Sequence, residues 1–396
     1  MSECNPALQR ALREPESRNA GNETDIEAGS TPVPAYIRAL PLYVPGRSEQ
    51  SVAREYGLAR IVKLASNENP LGCSPDVARA LAEHVGRADT TLARYPDSDA
   101  ADLRHALAHY HGVPPSHIAV TNGSHELIDL CAAVSLHDGT TGVYSQYAFQ
   151  AYPISIRARG ARALEVPACG YRHDAAAIRS ALVGATRLVY LCNPNNPTGT
   201  LLSHAEIEFI LAAASKDTLV VLDEAYIDYL DPASRPDSIS LVARYPQLVI
   251  ARTFSKAYGL ASLRVGYGIM HPDLAEAISR VRPTFSVNAL AQRAALAALA
   301  DRAFLARTQR VNRAGIAQIT AALEQQRIPF IPTHANFVTI RLKNARQVSE
   351  RLLRAGIVVR PLDAYAMHDF VRVTVGTEEE NAAFLRALFE VPTPDW

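Results

Sequence analysis

The segment RLVYLCNPNNPTGTLLSHAEIEFILAAASKDTLVVLDEAY (Arg187–Tyr226) decides the fold. Arg187–Cys192 is a short apolar run rich in β-formers, His204–Ser215 reads as a helix, and Leu219–Asp223 is a second apolar run. Near-continuous apolar strands with a helix between them belong to a buried parallel sheet. Both strands end in polar residues: Asn193-Pro194-Asn195-Asn196-Pro197-Thr198-Gly199 after the first, Asp223-Glu224-Ala225-Tyr226 after the second.

The same alternation extends in both directions. Further strands are expected at Ile118–Thr121, Thr141–Tyr144, Ala163–Val166, Leu248–Arg252 and Val265–Met270, with helices at Ser124–Ser135, Phe149–Arg159 and Ala175–Leu182. Upstream lie two more helices, Ala100–His111 and Pro75–Val85, the latter with Ser74 as its N-cap and proline at its first position. These elements predict an α/β fold whose large domain, residues 75–288, holds a mostly parallel seven-stranded sheet flanked by helices. The link between Leu248–Arg252 and Val265–Met270 is too short for a crossover helix, so one antiparallel strand is expected. From Ala289 to Gln326 the pattern is one long helical run. Strands at Phe337–Leu342, Ile357–Arg360 and Val371–Val375 follow, alternating with helices Ala345–Ala355 and Glu378–Leu388. Residues 289–396 therefore read as a smaller α+β C-terminal domain. Residues 1–30 read as a mobile tail, and Thr31–Arg47 as an extended, proline-containing surface segment.

Composition removes several classes of function. With 40 Lys+Arg against 40 Asp+Glu the net charge is zero, which supplies no attraction for nucleic acid or an anionic membrane. No apolar run approaches the about 20 residues that span a bilayer; Leu290–Leu299 is short and broken by Gln292 and Arg293. The N-terminus carries Glu3, Glu14, Glu16, Glu23 and Glu27 and does not read as a signal peptide. The five cysteines show no CxxC spacing and read as reduced thiols of a cytoplasmic protein. His105, His109 and His111 share a helix but lack a third strong ligand, and HExxH is absent, so no metal site is expected; they read as a solvated face. No GxGxxG follows a strand, which leaves a dinucleotide site unsupported.

Active sites of open α/β sheets lie at the carboxyl ends of the strands. Gly123-Ser124-His125 sets free backbone N–H groups and a hydroxyl at a helix start, a cup for a phosphate dianion. Ser255 and Arg264 complete the cup with a hydroxyl and a guanidinium. Lys256 lies beside this cationic pocket, which lowers its pKa and favours a nucleophilic amine. Asp223, at the end of a buried strand, suits an ion pair with a protonated ring nitrogen, while Tyr226 and Asn196 offer donors to a phenolate-type oxygen. Taken singly, each has a plainer reading: a surface lysine, a capping aspartate, an ordinary Asn-Pro turn or a surface arginine. Together they describe a site for pyridoxal 5'-phosphate.

The strings KLASNENPLG (Lys63–Gly72), RYPD (Arg94–Asp97), NGSHEL (Asn122–Leu127), YAFQAYP (Tyr147–Pro153), NPNNPTGT (Asn193–Thr200), VVLDEAYIDY (Val220–Tyr229), RTFSKAYGLASLRVGYG (Arg252–Gly268) and VRVTVGT (Val371–Thr377) carry a resemblance. Over roughly residues 35–390 the chain resembles the fold-type-I pyridoxal-phosphate aminotransferases, and within them the histidinol-phosphate aminotransferases. The resemblance implies that Lys256 holds the cofactor covalently and is then the general base at the substrate Cα. It implies that Asp223 pairs with the ring nitrogen, that Tyr226 and Asn196 bond the ring oxygen, and that Phe149 stacks on the ring. Gly123, Ser124, the His125 backbone, Thr253, Ser255 and Arg264 fall in the cofactor-binding set. Tyr95 matches a tyrosine contributed by a second subunit, which implies a homodimer with active sites at the interface. Arg372 matches the arginine that binds the acidic end of each substrate, and Asn67 and Tyr43 lie in the segment, residues 31–74, that closes over the site.

The implied reaction is ping-pong transfer of an amino group from histidinol phosphate to a 2-oxo acid, 2-oxoglutarate in the first instance. One guanidinium can serve both, because its planar fork accepts a phosphate ester or a carboxylate. Cys73, the Ser98-Asp99 pair after RYPD, and His125-Glu126 depart from the family's commoner residues and bear on the substrate more than on the reaction. Three other readings share much of the pattern. They are an aminotransferase for an aromatic or secondary-metabolite amino acid, a decarboxylase of a phosphorylated amino acid, and a regulatory module without turnover. The last requires a DNA-binding helix-turn-helix, for which the N-terminus is too short and polar.

Overall fold

The computed structural model describes residues 32–42, 46, 48–86 and 91–390. The proposed tail, residues 1–30, and Tyr43 lie outside the described residues. The large sheet has seven strands in the order Ile118–Thr121, Gly266–Met270, Leu248–Thr253, Leu219–Asp223, Thr186–Cys192, Thr141–Ser145, Arg162–Val166. Gly266–Met270 runs antiparallel to both of its neighbours, and the other pairings are parallel. One edge of the sheet therefore gathers the ends of five adjacent strands: Thr121, Gly266, Thr253, Asp223 and Cys192.

Alternation along the strands explains why both faces are covered. Val220 and Leu222 join one apolar core while Val221 joins the other, and Leu188 and Tyr190 face opposite to Val189 and Leu191. Helices pack over both layers, so the strands read as unbroken apolar runs. Local chemistry sets the helix starts: Ser203 and Glu206 form a capping box at His204–Leu211, and Ser74 caps Pro75–Val85. Gly266 is required where the helix Gly123–Ser135 begins, since a Cβ there would lie 2.5 Å from the Ser124 nitrogen.

A second, four-stranded antiparallel sheet runs Arg360–Pro361, Phe370–Thr374, Phe337–Arg341, Phe330–Ile331. It shares a core with Arg302–Gln325, Ala345–Arg354 and Glu378–Phe389. Val62–Lys63 pairs in parallel with Ile357–Val358, and the Thr374 N–H donates to the Leu64 carbonyl at 2.8 Å. These bonds tie the strand before Asn67 to the second sheet and fix where residues 65–67 emerge.

Several expectations need correction. Within Thr31–Arg47, Ala35–Arg38 is a short helix rather than extended chain, and the helix Glu49–Tyr56 follows it. The run from Ala289 to Gln326 is two helices, because Asp301 caps the second through Phe304 N–H (2.9 Å). The alanines of Ala289–Ala300 pack into a core of the large sheet, although the C-terminal unit was expected to begin at 289. The helix expected from Phe149 starts at Ala151, and Pro272–Val281 is a further helix. His105 and His109 are exposed, but His111 turns inward and its Nε2 lies 2.9 Å from the Tyr267 hydroxyl. Burial, with the Arg252 cation, lowers the His111 pKa to about 3 and keeps the ring neutral. No cluster able to hold a metal occurs among the described residues.

Beside the site, Glu224 is buried and accepts from Arg252 Nε (2.8 Å) and from the Ser238 hydroxyl (2.6 Å). Removing one partner strands a desolvated charge. Glu224→Gln is expected to lower stability by about 3 kcal/mol or more. Glu350→Gln, whose partner Arg346 is exposed, should leave the urea midpoint nearly unchanged. Equal midpoints for the two variants would remove the Arg252–Glu224 pair from the account of stability.

Candidate active site

A cavity of about 200 Å³ opens at the carboxyl edge of the large sheet. Its walls carry Asn67, Ser124, His125, Phe149, Asn196, Asp223, Tyr226, Thr253, Ser255, Lys256, Arg264 and Arg372, all singled out from the sequence. Gly123 lies beneath the wall with φ +80°, where a Cβ would fall 2.6 Å from Arg264 Nη2. Only glycine lets the guanidinium approach the helix start so closely.

The cationic end of the cavity is built from two chain segments. The helix Gly123–Ser135 presents its first N–H groups, which have no acceptor within the helix. Arg264, in a left-handed turn (φ 56°), donates to Ser255 Oγ (3.3 Å) and the Ala261 carbonyl (3.0 Å). The Ser255 N–H is held by Thr253 Oγ1 at 3.1 Å. Backbone donors, the Ser124 and Ser255 hydroxyls and a guanidinium line this end of the cavity, a donor set that suits a dianion.

Asp223 supplies the anionic wall. It is buried; Oδ2 accepts from the Tyr152 hydroxyl (2.8 Å) and Oδ1 from the Ala225 N–H (3.2 Å). Burial pushes its pKa up, and these two bonds push it back down. A buried carboxylate facing a cavity suits a cationic ring nitrogen.

Lys256 follows the strand Leu248–Thr253, and its Nζ donates to the Ser66 carbonyl at 3.0 Å. Burial first, then the Arg372 and Arg264 cations, lower its pKa to about 8; Glu68 and Asp223 act in the opposite direction. The sequence reading credited the cationic cup alone, whereas desolvation is the larger cause. Tyr226 Oη accepts from Asn67 Nδ2 at 2.8 Å, which leaves the phenol proton to donate elsewhere. Asn67 (φ 56°) is itself bonded through its N–H to Thr374 Oγ1 (2.9 Å) and through its carbonyl to Asn336 Nδ2 (3.1 Å).

Arg372 reaches into the cavity from the second sheet. Its guanidinium donates to Asn196 Oδ1 and to the Ala65 carbonyl (2.8 Å), and lies 5.2 Å from the Phe337 ring centre. Arg360 is its cross-strand partner and lines the same cavity, as does Tyr365. Neither was found from the sequence; their positions come from a two-residue strand and a single turn, which leave no local pattern. Cys192, Ser66 and Gly46 also line the wall unannounced. Tyr152 was legible in principle, since it stands three residues after Phe149 in YAFQAYP. Tyr95 is not in the cavity: it is 81% exposed and stacked on Phe285 at 4.5 Å between ring centres. The residues present therefore fit a phosphate, an aldehyde-reactive amine and a basic ring nitrogen, the functional groups of pyridoxal phosphate.

The lowered Lys256 pKa has a direct readout. In cofactor-free protein, reductive methylation followed by mass mapping should show Lys256 half-maximally reactive at about pH 8, below the ordinary 10.5. A Lys256 profile matching the exposed lysines would contradict the desolvated amine.

The sequence model described as "Aminotransferase class I and II" matches residues 59–388. The chain is 48% identical over 355 residues to histidinol-phosphate aminotransferase 1 of Nitrosococcus oceani, covering 89% of this chain and 95% of that protein. It is 43% identical over 362 residues to histidinol-phosphate aminotransferase 2 of Pseudomonas aeruginosa, covering 91% and 97%. The crystal structure of histidinol-phosphate aminotransferase from Sinorhizobium meliloti, in complex with pyridoxal-5'-phosphate, superposes with a TM-score of 0.81 at 28% identity, covering 92% of this chain and 98% of that one. Thermus thermophilus aspartate aminotransferase, at 21% identity and a TM-score of 0.78 over 92% and 100% of the two chains, shares the fold. The chain belongs to the class I and II aminotransferases and is a pyridoxal-phosphate-dependent transaminase.

Proposed function

We propose that this transaminase moves the amino group of histidinol phosphate to 2-oxoglutarate, giving imidazole acetol phosphate and glutamate. The observation that carries the reading is Arg372, aimed into the cavity of Lys256 from the second sheet with Arg360 beside it. Two cations on a wall separate from the phosphate cup call for a substrate with an acidic end of its own. Relatives named histidinol-phosphate aminotransferase over nearly their whole length support the same choice.

Pyridoxal phosphate supplies an aldehyde that captures amines and a ring that accepts the electrons of the broken Cα–H bond. The chain's residues do the rest. The helix N-terminus, Ser255 and Arg264 would hold the phosphate, and Phe149 would cover the ring face and exclude water. Asp223 would keep a proton on the ring nitrogen, while Tyr226 and Asn196 would bond the ring oxygen. Lys256 would hold the cofactor between turnovers. With its amine free and neutral, Lys256 would take the proton from the substrate Cα and give it up again. A pKa of about 8 leaves that amine able to do both near neutral pH. Arg372, with Arg360 beside it, would grip the phosphate ester of one substrate and a carboxylate of the other in alternate halves of the cycle.

The working form is a homodimer in which Tyr95 reaches the phosphate of the partner's cofactor. Its exposed ring, stacked on Phe285 with the 63%-exposed Leu92 nearby in sequence, supports an interface there. Among the described residues Cys73, Cys131 and Cys192 are free thiols, which suits a cytoplasmic enzyme, and no helix there is long and apolar enough to cross a membrane.

Steady-state assays with a panel of amino donors test the substrate. Histidinol phosphate with 2-oxoglutarate should exceed phenylalanine in kcat/KM by roughly 100-fold. Preference for phenylalanine, or carbon dioxide release without an oxo acid, would overturn the reading. Arg372→Ala should raise KM for both anionic substrates by roughly 10- to 100-fold. An effect on one alone would break the shared-anion model. Lys256→Ala should abolish turnover; surviving catalysis would remove the lysine from its role.

A further inference from the structure

Asp223 does not stand alone. Its Oδ2 accepts from the hydroxyl of Tyr152 at 2.8 Å, and nothing in the transaminase reading gives Tyr152 a task. Tyr152 is fully buried, and its ring is fixed on two sides. It stacks on Tyr190 (4.6 Å between centres, 12° between planes) and meets Phe149 edge-on at 5.8 Å. Tyr190 is anchored in turn, donating to the Ile128 carbonyl at 2.8 Å with Ser155 Oγ at 2.9 Å. The Tyr152 hydroxyl is thus a donor of fixed direction, packed against the ring proposed to cover the cofactor.

We propose that Tyr152 is a positioning residue for the transamination, holding Asp223 ionised so that the proton of the facing pair stays on the cofactor's ring nitrogen. The inference rests on the assignment of Asp223 to that nitrogen. In a dry site the pair has two forms: carboxylate with protonated ring, or carboxylic acid with neutral ring. A donor bonded to the carboxylate favours the first form, and its loss favours the second. Burial works toward the neutral acid at Asp223, and the Tyr152 bond is the largest influence opposing it. The same burial keeps the phenol protonated across the working pH range, so Tyr152 acts as a donor throughout. Other groups acting on Asp223 are His125 at the cavity wall, Glu224 next in the chain, and Cys192, its register partner on the neighbouring strand. His125 acts in the same direction as Tyr152 and Glu224 against it, and neither offers the carboxylate a direct bond of this kind.

Tyr152→Phe removes one oxygen and keeps the stacked rings. A ring that has lost its proton withdraws less charge, so the pH midpoint of the bound cofactor's visible absorbance should rise by about 0.5 to 1 unit. The kcat should fall ~10-fold with KM changed less than ~2-fold, since the lost bond is to a charged group of the machinery and not to substrate. Tyr190→Phe, which loses a hydroxyl from the same stack, should leave the midpoint in place. A wild-type midpoint in Tyr152→Phe, or an equal shift in Tyr190→Phe, overturns the proposal. Asp223→Asn separates the two layers: if it leaves the midpoint unmoved, the Asp223 assignment fails, whereas a shift there without one in Tyr152→Phe condemns only the tyrosine. Holoenzyme labelled isotopically at the cofactor's ring nitrogen reads the proton by NMR. It should report a less protonated nitrogen in Tyr152→Phe than in wild type, and an unchanged signal overturns the proposal.

Discussion

A single desolvated carboxylate at the middle of a parallel sheet organises this molecule. Burial works against charge on Asp223, and bonded donors at both of its oxygens oppose that effect. The strand that carries it is buried along its whole length, so the side chain cannot turn to water. Opposite lie an amine kept in reserve by the same burial and a cradle of donors at a helix start. A ligand with a basic ring nitrogen, an aldehyde and a phosphate satisfies all three at once. Few other small molecules do.

The second sheet completes the cavity rather than merely covering it. Residues 65–67 are fixed by the pairing of Val62–Lys63 with Ile357–Val358, and from there Ala65 and Ser66 offer carbonyls to Arg372 and Lys256. Asn67 bridges the two halves, bonded to Tyr226 on one side and Thr374 on the other. Arg372 spans the same gap by way of Asn196. The groups that would grip a substrate's acidic end therefore sit on a different sheet from those that would hold the cofactor. The two sets still communicate, because Arg372 bonds Asn196 and its charge bears on Lys256.

Much of this was legible in the sequence because the fold's logic is local. Apolar runs of strand length end in Asn-, Asp- or Ser-Lys-bearing strings, and a parallel sheet brings such ends to one edge. What escaped depends on partners far along the chain. Val62–Lys63 is too short to show any period and exists through its pairing with residues some three hundred positions away. Arg360 gains meaning only from its register opposite Arg372. The break at Asp301 lies within alanine-rich, strongly helical sequence; it follows from that carboxylate capping the next helix while accepting from Ser74. His111 looked like a surface residue by helical spacing, yet its position at the helix end turns it toward Tyr267.

Everything turns on one covalent assignment, the cofactor aldehyde on Lys256. Borohydride reduction of the holoenzyme, which makes that linkage permanent, followed by mass mapping of its peptides, tests it directly. The account predicts a pyridoxyl group on Lys256 and on no other lysine. A pyridoxyl group mapped elsewhere, with Lys256 unmodified, would contradict it.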